Sequence, residues 1–164
     1  MRPAKTEISD TRFREVLGHY CSGVTVITAI DGDVPVGFAC QSFQSLSLNP
    51  PMVTFSPART STTWPRIQRA GRFAANVLAK GQDVLCRQFA TSGGDKFSGV
   101  DWRPGLSGAP LLAGALAWVD CEITEVLEGG DHVIVIGRVL DLAADGGSPL
   151  LFFRGRFGSL AADC

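Results

Sequence analysis

The stretch "GVTVITAIDGDVPVGFACQSFQSLSLNPP", residues 23–51, decides the fold class of this chain. It opens with a short run rich in β-branched side chains, and the turn signal "DGD" (31–33) follows. The segment "VPVGFACQSF" (34–43) then reads as a returning strand. Because so short a turn cannot hold the helical crossover that parallel strands need, the two strands must pair antiparallel. The stretch predicts a β-hairpin.

The second half of this stretch is unusually polar for a buried strand. After Val36, Phe38 and Ala39 the side chains become hydroxyls and amides, and the run stops at a double proline. A strand does not need so many small donors to build a core, which indicates that the donors hold a ligand. They are Gln41, Ser42, Gln44, Ser45, Ser47 and Asn49.

Three short helices are predicted outside the hairpin. "SDTRFREVLGHYC" (9–21) has apolar residues at helical spacing behind a Ser/Asp/Thr cap, which is typical of an amphipathic helix. "TTWPRIQRAG" (62–71) has a proline near its first turn and a glycine after its end. "GQDVLCRQFA" (81–90) is the third helix. We expect this last helix to bury Val84, Leu85 and Phe89.

The remaining segments are predicted to be strands. They are "PMVTFSP" (51–57), "RFAANVLA" (72–79), "ALAWVDCEITEVL" (115–127), "HVIVIGRVLDLA" (132–143) and "SPLLFFRGRFGSL" (148–160). The turn "EGGD" joins the two longest strands as a second hairpin. Strands spaced this closely leave no room for parallel crossovers. We therefore expect a mainly β protein, a closed antiparallel barrel with helical insertions, as one domain over residues 1–164.

Composition excludes several classes of protein. Hydrophobic residues make up 45% of the chain and charged residues 19%, as in a globular protein. A net charge of −1 argues against partners held by bulk electrostatics, namely nucleic acids and membrane surfaces. No apolar run is long enough to span a membrane, and "MRPAKTEISD" lacks the apolar region of a signal peptide. We expect a cytoplasmic protein.

Several familiar site signatures are missing from the sequence. No cysteine lies in a CxxC pair, so the sequence supports neither a zinc site nor a disulfide framework. No dinucleotide-binding GxGxxG, P-loop or GxSxG motif occurs either. The five cysteines, all expected to be structural, are Cys21, Cys40, Cys86, Cys121 and Cys164. Of these, Cys40 and Cys121 lie in apolar runs and should behave as small hydrophobes.

Three further segments supply polar candidates. "SPARTSTT" (56–63) precedes a helix, where it is either an ordinary N-cap or an anion seat. "GGDKFSG" (93–99) offers Lys96 beside Phe97, or is only a solvated turn. His132 follows the "EGGD" turn, so it is displayed at a barrel rim in either a functional or a structural role, whereas His19 is expected to be solvated or packed. A ligand with a flat polar ring and a phosphate would account for these segments together.

The ordered motifs resemble a known family. In sequence they are "GVTVIT", "VPVGFACQSFQSLSLNPP", "TSTTW", "FAANVL", "QFATSGGDKFSGVDW", "GGDH" and "PLLFFRGRF". From about Phe13 to Leu160, the chain resembles the short-chain flavin reductases of two-component flavin-dependent monooxygenases. Within that family it most resembles reductases that serve actinobacterial hydroxylases of a phenolic secosteroid.

The resemblance implies a fold, an activity and partners. The family fold is an antiparallel split β-barrel, usually a homodimer. Its members use NADH, or alternatively NADPH, to reduce FAD or FMN by hydride transfer, and the reduced flavin diffuses to a separate oxygenase. Such chemistry depends mainly on stacking geometry, which suits a sequence rich in amide and hydroxyl donors.

The resemblance also implies site residues. The isoalloxazine would meet Phe38, Ala39, Cys40, Gln41 and Ser42, and then Ser47, Leu48 and Asn49. The phosphate end would meet Ser61 and Thr62, assisted by Lys96 and Phe97. His132 would be the catalytic contact to the nicotinamide, with Phe153, Arg154 and Gly155 beside the pyridine nucleotide. The family often has tyrosine where this chain has Phe153 and Phe157.

Two other functions remain open at this point. One is a non-catalytic split-barrel protein that binds flavin or haem, which would not need the nicotinamide contact. The other is an oxidase of the pyridoxamine-phosphate type. Such an oxidase normally needs a richer basic phosphate site than Arg59, Lys96 and Arg154 provide.

Overall fold

The structure, a computed structural model, describes residues 7–161, so Cys164 and both ends of the predicted domain lie outside the described residues. It is mainly β, as predicted. In chain order the elements are α1 (Asp10–Leu17), β1 (Ser22–Gly23), β2 (Thr25–Asp31), β3 (Val34–Cys40), β4 (Gln44–Leu48), β5 (Pro51–Phe55), α2 (Trp64–Ala70), β6 (Arg72–Val77), α3 (Asp83–Ala90), β7 (Trp102–Pro104), β8 (Pro110–Leu112), β9 (Ala117–Gly129), β10 (His132–Ala144), β11 (Leu151–Phe153) and β12 (Arg156–Gly158).

Seven antiparallel strands form one sheet, in the order β3-β2-β6-β9-β10-β5-β4. Both predicted hairpins are confirmed: Asp31 pairs with Val34, and Gly129 pairs with His132. The edge strands β3 and β4 are consecutive in the chain. The closed barrel expected from the strand spacing is therefore wrong, because the sheet has two edges, whereas the mainly β, antiparallel split barrel that the family resemblance implies is confirmed.

An aromatic core holds the curled sheet together. Phe55 of β5 lies 4.9 Å from Phe73 and 5.9 Å from Trp64, measured between ring centroids, in edge-to-face arrangements. The Phe55 ring also lies 6.2 Å from the ring of Phe38 in β3, the edge strand at the other end of the strand order. Phe55 and Phe73 are completely buried. Because Phe38 and Phe55 meet in this core, the sheet curls around it and brings the edge strand β3 close to β5.

The tip of the first hairpin is tied to α2 by charge. Asp31 accepts hydrogen bonds from Arg66 Nε at 2.7 Å and from Arg69 Nη2 at 2.6 Å. These bonds, with that from Arg69 the larger cause, lower the pKa of Asp31 to about 2. The carboxylate therefore stays ionised at neutral pH, and the pair fixes α2 against the hairpin.

Two details of the sequence prediction are corrected. Val84 is exposed, whereas Cys86 and Phe89 are the buried residues of α3. A helix turns about 100° per residue, so Val84 lies about 140° around the axis from Phe89 and on the opposite face. Strand β4 was not predicted, because its residues 44–48 are mostly exposed and polar and show no buried alternation. It forms an edge strand beside β5.

Candidate functional site

A cleft of about 880 Å³ opens beside the ends of β3 and β5. Its walls come from β3 and the residues after it, from the loop between β5 and α2, from α3, and from the β11–β12 hairpin. The residues that line it are Phe13, Val24, Phe38, Ala39, Cys40, Gln41, Ser42, Ser56, Pro57, Ala58, Ser61, Cys86, Arg87, Ala90, His132, Phe152 and Phe157. Seven of the residues predicted to bind cofactor or nicotinamide are therefore brought together: Phe38 to Ser42, Ser61 and His132.

Ser42 joins the segment that follows β3 to the residue that follows β5. Its Oγ accepts a hydrogen bond from Ser56 N at 2.8 Å and donates to Ser56 O at 3.2 Å. Cys40 Sγ lies 3.2 Å from Ser42 Oγ. Burial raises the pKa of the Cys40 thiol, so the thiol stays protonated. Because the Ser42 hydroxyl is committed to Ser56, we infer that Ser42 would meet a ligand through its main chain.

The turn that carries His132 is fixed to the loop that carries Ser61. Arg59 Nε donates to Gly130 O at 2.9 Å, and Arg59 N donates to Asp131 O at 2.9 Å. The guanidinium also pairs with Glu128. These bonds explain how a tight turn can hold one imidazole at a constant place on the rim of the cleft.

His132 and Asp131 form a hydrogen-bonded pair. Nδ1 of His132 lies 2.7 Å from Asp131 Oδ1, and this bond is the largest cause that lowers the pKa of Asp131. An ionised carboxylate can only accept, so Nδ1 carries the proton. In the neutral imidazole, Nε2 is then an acceptor, and the half-exposed ring can offer it to a ligand in the cleft.

Ser61 lines the cleft, whereas the next residue, Thr62, lines a second pocket of about 470 Å³. The pocket contains Thr62, Lys96 and Phe97, the other residues predicted at the phosphate end. Lys96 Nζ donates to Phe89 O at 3.2 Å, and partial burial lowers its pKa. Among the salt bridges of residues 7–161, none involves Lys96. Its ammonium is therefore available to an anion.

The hydroxyl of Ser61 has a structural role as well. Its Oγ accepts a hydrogen bond from Trp64 N at 3.1 Å, at the start of α2. The N-cap residue of α2 is Thr63, which makes no side-chain capping bond, so Ser61 stabilises the helix start from two residues before the cap. The hydroxyl proton can still be donated to a ligand.

The other predicted site residues lie outside the cleft in this chain. Ser47 and Leu48 belong to β4, where the Leu48 side chain is 95% exposed, and Asn49 follows them. Arg154 and Gly155, at the tip of the β11–β12 hairpin, share a hollow of about 680 Å³ with α1 and Gln41. In this hollow Arg154 N donates to Gly18 O at 3.0 Å. Phe153 lines a smaller hollow on the same hairpin.

Several residues of the cleft were not predicted. Ser56 and Ala58 follow β5 directly, and the end of a strand beside a polar loop could have indicated them. Arg87 and Phe152 were given no role, and Phe157 was noted only as a position where the family often has tyrosine, because the pattern of one helix or strand does not indicate which faces meet.

The comparisons with known proteins agree with this geometry. The family described as "Flavin reductase like domain" matches residues 17–161, and the chain belongs to this family. Within residues 7–161, no helix has the length and apolar character needed to cross a membrane.

Three relatives illustrate the similarity. The reductase subunit HsaB of a flavin-dependent monooxygenase from Rhodococcus jostii is 48% identical over 161 residues, covering 98% of this chain and 83% of that protein. A flavin reductase from Pseudomonas putida is 48% identical, covering 96% of this chain and 94% of its own length. The NADH:FAD oxidoreductase of Streptomyces globisporus, solved with NAD and FAD fragments, superimposes with a TM-score of 0.89 at 38% identity, covering 96% and 99%.

Proposed function

We propose that this chain is an NADH-dependent flavin reductase that reduces FAD or FMN and supplies the reduced flavin to a separate monooxygenase. The observation that carries the proposal is the cleft of about 880 Å³ that brings residues 38–42 together with His132. Its volume is typical of a small-molecule site, and its walls combine aromatic rings with hydroxyl and amide side chains. The family assignment favours this activity over a non-catalytic flavin- or haem-binding protein and over a pyridoxamine-phosphate-type oxidase.

The residues of the cleft fit a flavin and a nicotinamide. When bound, the flavin supplies a ring that accepts a hydride from reduced nicotinamide. Residues Phe38 to Ser42 would bind the ring edge, and Phe152 and Phe157 would exclude water from it. Nε2 of His132 would accept a hydrogen bond from the nicotinamide carboxamide and so orient the ring, without transferring a proton.

The first test is whether NADH oxidation depends on added flavin. We expect purified protein to oxidise NADH only when FAD or FMN is supplied, with saturation within the usual range of about 1 μM to 1 mM. Absorbance at the NADH band, recorded with and without flavin, measures this directly. Protein that carries no flavin and ignores added flavin would contradict the proposal, and a flavin that survives extensive dilution would favour the non-catalytic alternative.

The second pocket is proposed as the phosphate seat. Replacing Thr62 with valine and Lys96 with methionine should each weaken FMN binding about five- to tenfold, because each removes a donor to the phosphate. We expect the affinity for riboflavin, which has no phosphate, to stay within twofold. Fluorescence quenching titrations with both flavins make the comparison. Equal losses for FMN and riboflavin would show that the pocket does not hold the phosphate.

We propose that the protein is a homodimer, as the family resemblance implies. The amphipathic helix α1 is confirmed, yet none of its residues is buried in the chain, and Val16 is 59% exposed. Leu46 and Leu48 of the edge strand β4 are also exposed. Apolar surface of this extent is typical of an interaction site. Such an interface would also cover Ser47, Leu48 and Asn49, which lie outside the cleft of a single chain.

Sedimentation should therefore give a dimer at micromolar concentration. Leu48→Asp is expected to shift it to a monomer, because a charge would be buried in the interface. Val84→Asp, an equally polar change at an exposed residue of α3, is the matched control and should stay dimeric. A wild-type monomer with full activity would contradict the proposal.

We propose a separate oxygenase as the partner and the cytoplasm as the location of the protein. The named relative HsaB is a subunit of a flavin-dependent monooxygenase, which supports a separate oxygenase as the recipient of reduced flavin. The resemblance to reductases of phenol hydroxylation supports an aromatic substrate for that oxygenase. The cysteines at positions 21, 40, 86 and 121 are free thiols, which fits a cytoplasmic protein.

A further inference from the structure

Arg87 lines the cleft, but the proposed binding of flavin and nicotinamide does not use it. It lies in the last turn of α3, beside Cys86. Of the described residues that line the cleft, Arg87 is the only arginine or lysine, and no aspartate or glutamate is among them. The cleft therefore has one permanent charge, and it is positive.

The guanidinium of Arg87 is held on the side of the terminal hairpin. Its Cζ lies 5.0 Å from the centroid of the Phe157 ring, within cation–π range. Its Nη1 lies 3.1 Å from Asp83 Oδ2, one turn earlier on α3. The side chain is still 63% exposed, so it keeps donors free for a ligand.

Dinucleotides carry a diphosphate, and a bidentate arginine is the side chain best suited to bind it. The proposed seat of the flavin phosphate, with Thr62 and Lys96, lies in the other pocket. Phe157, on which Arg87 stacks, belongs to the β11–β12 hairpin, and the family resemblance places that hairpin beside the pyridine nucleotide. The cation is thus on the wall where the second substrate is expected.

We propose that Arg87 binds the diphosphate of NADH, and that Asp83 is a competing counter-charge that holds the guanidinium when NADH is absent. This inference rests on the proposed function and adds a residue that determines affinity for the hydride donor. Arg87 is a binding residue, since its contact is remote from the reacting atoms. Its loss should therefore raise KM more than it lowers kcat.

The central experiment compares Arg87→Gln with Arg138→Gln. Arg138 is a similar half-exposed arginine paired with a carboxylate, Glu122, on the surface of the barrel. We expect Arg87→Gln to raise the KM for NADH five- to tenfold, with kcat and the KM for FMN within twofold of wild type. Arg138→Gln should leave all three within twofold. An unchanged KM for NADH in Arg87→Gln would overturn the proposal.

A hydride donor that lacks phosphate distinguishes a lost contact to the NADH diphosphate from a general disturbance of the cleft. Reduced nicotinamide riboside has the same reacting ring as NADH and no phosphate. We expect its KM to be the same for wild type and Arg87→Gln. Equal rises for NADH and the riboside would overturn the proposal, and so would a rise in the KM for FMN that spares NADH, because the arginine would then serve the flavin.

Asp83→Asn tests the proposed counter-charge, and its expected effect on the KM for NADH is opposite to that of Arg87→Gln. If Asp83 competes with NADH for the guanidinium, its removal should lower the KM for NADH about twofold. If the Asp83–Arg87 pair only stabilises α3, the KM for NADH should stay the same and only the melting temperature should fall. That result would overturn this part of the proposal. Wild-type protein that oxidises NADH with added flavin establishes the proposed function separately, so a failure of the Arg87 inference can be recognised.

Discussion

Replacing Gly137 with alanine is expected to lower the free energy of unfolding by about 3 kcal/mol, at the upper end of the usual cost of overpacking a core. A Cβ at this position of β10 would lie 2.6 Å from Phe73 Cζ and 3.2 Å from Cys121 Cβ. Phe73 is fully buried and packs edge-to-face on Phe55, so its ring has no free space to move into. The added methyl group must therefore displace either the ring or the strand.

The measurement is thermal unfolding followed by circular dichroism. For a chain of this size, about 3 kcal/mol corresponds to a drop in melting temperature of roughly 6 to 12 °C. Gly23→Ala is the matched control, since a Cβ there would have no atom within 4 Å and its φ is not positive. The control should melt within about two degrees of wild type. A Gly137→Ala variant as stable as the control would show that the core around Phe73 can relax.

Gly137 also illustrates a feature that the sequence alone does not predict, namely which strands become neighbours. It lies where the pairing of β9 and β10 shifts register, beside a ring from β6. The sequence predicts each of these strands, because their β-branched residues and the turns "DGD" and "EGGD" are local signals. It does not predict which strands become neighbours, since pairings such as β10 with β5 depend on contacts between distant segments. The split in the barrel likewise depends on pairings between distant segments, so the local strand pattern does not predict it.

The site shows the same division between local and distant signals. The donors after β3 and the rim position of His132 follow from local patterns, and the family resemblance gave them roles. Their meeting in one cleft is a property of the fold. The phosphate residues were expected as one group, but Ser61 lines the cleft and Thr62 lines the second pocket, because consecutive residues of a turn face different sides. Arg87 was missed because its partner ring lies 70 positions later in the chain.

Replacing His132 with alanine is expected to lower kcat/KM for NADH ten- to thirtyfold, which corresponds to about 1.4 to 2 kcal/mol of transition-state stabilisation. The imidazole is fixed by Asp131 at Nδ1, and its turn is fixed by Arg59, so Nε2 is held in one orientation on the rim of the cleft. Without it the nicotinamide would bind in more than one orientation. Most of the loss should appear as a higher KM, together with a modest fall in kcat, because no proton has to be transferred.

Steady-state kinetics, flavin titration and thermal unfolding should be recorded on the same variant. The affinity for FMN should stay within twofold, because the ring and phosphate contacts come from other segments. Arg138→Gln is the control, since Arg138 pairs with Glu122 and does not line the cleft, and it should leave the NADH kinetics unchanged. Asp131→Asn should give part of the His132 effect, because an amide can no longer fix the tautomer as a carboxylate does. A folded His132→Ala variant with wild-type NADH kinetics would refute the role, and a large fall in its melting temperature would instead make His132 a structural cap of the turn.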